Sequence, residues 1–300
     1  MARFAATFAA LLLAAAPLAH AASLKYEHGH LIRLDPRDES LWLDSTHIEA
    51  ARLARRFRRI TIRDFSLNAR ATLAVSASAS LGAGVLTNVI LLFNTAAPAS
   101  PEVIATGDVF CDHLAWGGED LYCLGPDFRK MVAGEPYSVL WRIPPNGDIH
   151  PVLPRDRFPP ATAPPWKTAA LGDAQLLSAR DALWIFHPGA AQLFRFTPST
   201  SELSSFPVNV NPAGRSRISI AIWNDTPLAL LPLRQRGDES FTTPYALFSF
   251  SPHDRRWLTA SSAKLPRGAQ LLAVDGNHAL LWDRRGKGRL LRIALDAPAR

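Results

Sequence analysis

The pair of residues best suited to chemistry is Asp112-His113, because an imidazole beside a carboxylate can serve as a base or as a ligand. The pair lies in Cys111-Asp112-His113-Leu114-Ala115-Trp116-Gly117-Gly118-Glu119-Asp120-Leu121-Tyr122-Cys123, the segment that holds both cysteines of the chain. The plainer reading is a polar pair within a hairpin. His28-Gly29-His30 would set two imidazoles on one side of an extended strand. No third ligand stands at a supporting spacing, so no metal is expected there. Asp35, Asp38 and Glu39 approximate part of a calcium loop but lack its spacing and its glycine, and they suit a turn. There is no Gly-rich phosphate loop, no Gly-x-Ser-x-Gly elbow and no His-Glu-x-x-His. Asp112 and His113 are therefore the catalytic candidates, and no cofactor is expected. Candidates for ligand contact are Arg63, Gln175 and Arg217, polar residues of first strands in the repeat described below, and Trp166, in a Pro-rich loop.

Gly117-Gly118, flanked by apolar residues, reads as a hairpin turn that brings Cys111 and Cys123 roughly opposite one another. Cross-strand partners lie about 4.5–5.5 Å apart, which suits a disulfide. The alternative, a metal pair completed by His113, has no recognised zinc spacing. An oxidising compartment agrees with the N-terminus. Arg3 precedes the apolar run Phe4 to Ala16, Pro17 breaks it, and Ala19-His20-Ala21 supplies a small-x-small cleavage site. Residues 1–21 read as a signal peptide, too short to span a bilayer, which needs roughly 20 apolar residues. No cysteine follows the cleavage site, so a lipid anchor is not expected. No later run is long and uncharged enough to be a transmembrane segment. The expected location is periplasmic or secreted.

Lys and Arg number 33 against 26 Asp and Glu, a net charge of +7, modest for 300 residues. Basic residues cluster at Arg52, Arg55, Arg56, Arg58, Arg59 and Arg63, and again at Arg284, Arg285, Lys287 and Arg289. These suit either a solvated face or an anionic partner such as an envelope polysaccharide or lipid head groups. Nucleic acid is not an expected partner of an exported chain.

The organisation of the chain comes from a recurring segment. Leu140-Trp141-Arg142-Ile143-Pro144-Pro145, Leu193-Phe194-Arg195-Phe196-Thr197-Pro198 and Leu247-Phe248-Ser249-Phe250-Ser251-Pro252 follow at spacings of 53 and 54 residues. Leu31-Ile32-Arg33-Leu34-Asp35-Pro36 is an earlier copy, and Val89 to Phe93 a weaker one. Each is an apolar run with a polar residue inside it and a turn after it, and thus a strand and its turn. Gly118-Glu119-Asp120, Ala179-Arg180-Asp181, Trp223-Asn224-Asp225 and Asp275-Gly276-Asn277 mark a second recurring turn. Each unit reads as strand, turn, strand, variable loop, strand, Pro turn, strand. Four strands in about 54 residues is the size of a propeller blade. Residues 47–58 are expected to form a short amphipathic helix inserted in this series, and Ser76 to Gly84 a flexible loop.

The expected fold is all-β: a single propeller domain over 22–300 with about five four-stranded blades, or six by the alternative count. The N-terminal segment is expected to complete the C-terminal blade. A β-sandwich is the alternative architecture. Trp42, Trp141, Trp184, Trp223 and Trp282 fall on predicted strands and suit packing between blades. Over nearly all of 22–300 the chain resembles β-propellers of the bacterial exported kind, without the WD dipeptides or the kelch double glycines that mark particular families. That resemblance implies a monomeric binding or interaction module for a protein or an anionic envelope glycan. The alternative is a propeller hydrolase, lyase or lactonase with an acidic and histidine site at the channel mouth. Mass analysis of the exported protein is expected to find Ala22 at its N-terminus; retention of residues 1–21 would refute the signal-peptide reading.

Overall fold

The computed structural model describes residues 24–35, 37–49, 57–82, 85–96, 98, 100–158, 174–187, 192–208, 219–232, 245–265, 269–283 and 289–296. Its strands form six antiparallel sheets arranged as six propeller blades, not the five favoured from the sequence. Blade 1 holds β1 (Leu24–Glu27), β2 (His30–Asp35), β3 (Ser40–Leu43) and β4 (Thr46–Ile48). Blade 2 holds β5 (Arg59–Leu67), β6 (Thr72–Gly82), β7 (Val85–Asn94) and β8 (Glu102–Gly107). Blade 3 holds β9 (His113–Gly117), β10 (Asp120–Leu124), β11 (Ser138–Ile143) and β12 (His150–Pro154). Blade 4 holds β13 (Gln175–Ser178), β14 (Leu183–His187), β15 (Gln192–Thr197) and β16 (Glu202–Pro207). Blade 5 holds β17 (Ser219–Trp223), β18 (Thr226–Pro232), β19 (Tyr245–Ser251) and β20 (Arg256–Thr259). Blade 6 holds β21 (Ala269–Asp275), β22 (His278–Asp283) and β23 (Arg289–Ala294).

The miscount arose at the N-terminus. β1 and β4 are too short, at four and three residues, to show a clear alternation. Yet they complete a four-stranded blade of their own, so the N-terminal strands do not join blade 6. Instead β1 packs beside β21. The expected helix over 47–58 is corrected where it can be read. His47 and Ile48 belong to β4, because Ile48 pairs with Leu41 and is fully buried. Residues 50–56 lie outside the described set. The loop expected over Ser76 to Gly84 is, up to Gly82, part of β6. Its small residues pack in the strand: Ala77 and Ala79 are fully buried. A short helix, α1 (Phe128–Ala133), was not foreseen; Asp127 caps it by accepting the Lys130 N–H, and Gly134 ends it at φ 72°.

First strands of neighbouring blades pack together around the axis: β5 with β9, β9 with β13, β13 with β17, β17 with β21. Between them the blades bury alternate faces of the same strands. Leu183 and Ile185 of β14 pack towards blade 3, whereas Trp184 and Phe186 pack towards blade 5. Ala74 of β6 faces blade 3, and its neighbours Leu73 and Val75 face blade 1. This two-sided burial explains why the strands read as nearly continuous apolar runs. Trp141, Trp184 and Trp223 are buried in such interfaces, while Trp42 and Trp282 are only half-buried. Five buried clusters occupy the interfaces from blade 1–2 round to blade 5–6. Among the described residues no such cluster joins blade 6 to blade 1.

The disulfide between Cys111 and Cys123 is present, with Cα atoms 5.1 Å apart. It ties the entry to β9 onto β10 diagonally, since Cys123 faces Leu114 in the ladder. Gly125 permits this approach, because a Cβ there would fall 1.6 Å from the Phe110 carbonyl oxygen. Gly125→Ala is expected to lower the unfolding free energy by about 3 kcal/mol, the scale of an overpacked buried site. Denaturant titration checks this, and a midpoint unchanged from the parent would show that the backbone yields freely.

Candidate functional site

A first strand has a partner on one side only. Alternate N–H groups on its other edge therefore need acceptors from elsewhere. In this chain the acceptors are side chains of the preceding blade. Asp64 of β5 accepts the Leu114 N–H of β9 at 2.8 Å. Gln175 of β13 accepts the Ile220 N–H of β17 at 3.1 Å, and Ser219 of β17 accepts the Leu271 N–H of β21 at 2.8 Å. Each donor is the residue after the equivalent acceptor position of its own blade. That position is filled by Asp64, His113, Gln175, Ser219 and Gln270 in blades 2 to 6. Glu27 of β1 plays the same part for blade 2, accepting from the Leu67 N–H and from the Ser66 hydroxyl at 3.3 Å.

These latches concentrate charge where blades 1, 2 and 3 meet. Lys25 Nζ lies 2.8 Å from both carboxylate oxygens of Asp64 and donates to the Phe65 carbonyl at 2.7 Å. Arg63 donates through one terminal nitrogen to Asp112 at 2.7 Å and through Nε to Ser78 at 3.0 Å, with its guanidinium over the Phe110 ring. Ser76 donates to the Cys111 carbonyl at 2.6 Å and accepts the Asp64 N–H. A bulge in β5 between Ile62 and Asp64 lets Arg63 and Asp64 serve different partners. Burial pushes the Asp112 carboxyl above its ordinary value, outweighing the opposing pull of Arg63 and, less strongly, of His113. Burial likewise raises the Glu27 carboxyl against the Lys25 ammonium and the Leu67 N–H, and the Asp64 charge adds to the rise.

Of the residues singled out from the sequence, Arg63, Asp112 and His113 come together in this cluster. Gln175 stands apart on β13, holding blade 5. Trp166 and Arg217 lie outside the described residues. His28 is in a turn at φ 50°, while His30 is bonded to Asp44 at 2.7 Å, so the two do not form the paired imidazoles of one strand. Asp35 and Asp38 accept backbone N–H groups two residues on, as turn residues do. Among the described residues no group of three His, Cys, Asp or Glu is placed to hold a metal. Lys25, Glu27 and Asp64 were missed. β1, which carries Lys25 and Glu27, is too short for its alternation to mark them in the sequence. A groove of about 500 Å³ lies elsewhere, lined by Asp156, Arg157, Gln192, Phe194, Leu203 and Ser205.

No protein-family model matches the chain, and no curated protein matches it. Solved structures do. The chain is similar to the β-propeller domain of the trilobed protease from Pyrococcus furiosus, at 12% identity and a TM-score of 0.48, covering 78% of this chain and 71% of that one. It is similar to an acylaminoacyl peptidase from Pyrococcus horikoshii at 11% identity and a TM-score of 0.49, covering 80% of this chain but only 40% of that one. The luciferin-regenerating enzyme has 9% identity and a TM-score of 0.48, with 92% and 91% covered.

The raised Glu27 carboxyl yields a signed expectation. Its folded form keeps a proton that the unfolded chain has released, so its contribution to stability is lost as pH rises from the ordinary 4.5 through the raised folded value. Glu27→Gln removes that loss, and the stability of the variant relative to the parent should climb over this window. Unfolding titrations at a series of pH values check it; a difference independent of pH would contradict the buried-acid account.

Proposed function

We propose that this protein is a non-catalytic, exported β-propeller that binds a protein or glycan through one face. The observation that carries the reading is the use made of its charges buried or half-buried between blades 1, 2 and 3. Asp112 is joined to Arg63, Asp64 to Lys25 and the Leu114 N–H, and Glu27 to the Leu67 N–H. These groups hold blades 1, 2 and 3 in register. Export is supported by the signal-peptide pattern of residues 1–21 and by the disulfide, which suits an oxidising compartment. No helix among the described residues is long and apolar enough to cross a membrane.

A second reading, a hydrolase or lactonase, is favoured by one observation: two carboxyls raised by burial, Glu27 and Asp112, lie near the axis. The two readings part on turnover. The purified mature protein is expected to bind an anionic envelope polysaccharide, or an envelope protein captured by crosslinking, saturably and without forming product. It is expected to leave ester, lactone and glycoside substrates intact. Turnover abolished by Asp112→Asn in a variant that still unfolds cooperatively would replace the binding reading with the enzymatic one.

A further inference from the structure

Adjacent strands alternate in direction within every blade, and the blades follow one another in order around the axis. All connections between second and third strands therefore emerge on one face of the propeller, together with the links from blade to blade. Among the described residues the large apolar side chains left exposed are Leu81, Leu86, Val132 and Leu290, at 50%, 52%, 60% and 47%. All four belong to that face. Leu81 and Leu86 flank the β6–β7 turn, Val132 lies in α1 between β10 and β11, and Leu290 is the second residue of β23. Among the described residues the turns of the opposite face carry none.

Among the described residues blade 2 reaches furthest in this direction. Counting from the shared acceptor position, β9, β13 and β17 begin at that position and β21 one residue before it, whereas β5 begins five residues earlier, at Arg59. At about 3.3 Å per residue this carries the β6–β7 hairpin roughly 16 Å past the equivalent point of its neighbours. Its tip remains paired, with Ser80 opposite Leu86 and Gly82 opposite Val85. Arg58 donates its N–H to the Ser80 carbonyl, and its side chain runs against Gly82, within 3.0–3.2 Å of where a Cβ would stand. Exposed cations stand beside the apolar tips: Arg58 and Arg59 at the hairpin, Arg129 and Lys130 next to Val132, and Arg289, itself paired with Asp283 at 3.5 Å, next to Leu290.

We propose that this face rests on an anionic lipid surface, with the β6–β7 hairpin as its leading contact. Among the described residues, apolar side chains scattered over blades 2, 3 and 6 do not make the contiguous apolar core that a protein partner requires. They do suit a bilayer interface, which accepts apolar tips independently while its phosphates meet the neighbouring cations. Asp38, Asp108 and Glu135 are also exposed on this face, so the attraction is local to the tips and the contact is reversible. The opposite face stays free for the partner of the proposed binding role, which this inference does not require.

The test is sedimentation of the mature protein with vesicles of phosphatidylglycerol and phosphatidylcholine, beside vesicles of phosphatidylcholine alone. Binding is expected to the anionic vesicles, weakened about tenfold by Leu81→Ser with Leu86→Ser and weakened also by Arg58→Gln or by high salt. Both leucines are exposed, so unchanged thermal unfolding of the double variant will show that the fold is kept. Absence of sedimentation with anionic vesicles, or binding indifferent to the leucine substitutions, overturns the proposal. So does a lipid-free complex with an envelope protein that needs the same leucines. Loss of polysaccharide binding in solution bears on the binding reading alone.

Discussion

An innermost strand of a propeller blade is an edge, and its outward N–H groups must be satisfied without a further strand beside them. This chain meets the requirement with side chains reaching across from the previous blade: Glu27, Asp64, Gln175 and Ser219. The remaining order of the axis follows from these bonds. They set the stagger of each blade on the next, and they bring buried carboxylates close enough to need Lys25 and Arg63 beside them. A buried charge without a partner costs far more than a paired one. Lys25 is therefore the counterpart of the latch Asp64, and Arg63 that of the buried Asp112.

Packing divides the same labour differently around the ring. From blade 1 to blade 6 each interface is filled by apolar residues taken alternately from the two sides of a strand, as Trp184 and Ile185 show. Polar latches then align what apolar burial has brought together, with directional hydrogen bonds supplying the specificity that dispersion and burial lack. Where blade 6 meets blade 1, β21 and β1 pack together without a strand crossing from one blade to the other. Among the described residues no ladder is shared between β1–β4 and β21–β23.

Much of the architecture is legible in the sequence. Turn chemistry marks Asn146-Gly147, Asp275-Gly276-Asn277 and the Pro-ended third strands of blades 3 to 5, and those elements stand where the repeat put them, whereas the copy at Leu31 to Asp35 is the second strand of blade 1. The diagonal disulfide followed from one Gly-Gly turn and two cysteines. Legibility failed where strands were short or unusually composed. β1 and β4 are below the length at which alternation can be read, and β6 is built from Ala and Ser that look like a linker until their burial is known. The first failure hid half of blade 1, which is how six blades read as five; the second only shortened a strand of blade 2.

The sequence by itself determined a strand-rich repeat, its Pro and Gly turns and its disulfide, because turn formation and side-chain alternation depend on residues a few positions apart. Only the tertiary structure decided the blade count, the partners of Asp64, Asp112 and Gln175, and the gathering of Leu81, Leu86, Val132 and Leu290 on one face. Latch acceptors and donors stand 40 to 52 residues apart, and nothing in a local pattern distinguishes an acceptor from a ligand-binding or catalytic side chain. Closing the chain into a ring is what brings each acceptor to the N–H it must satisfy.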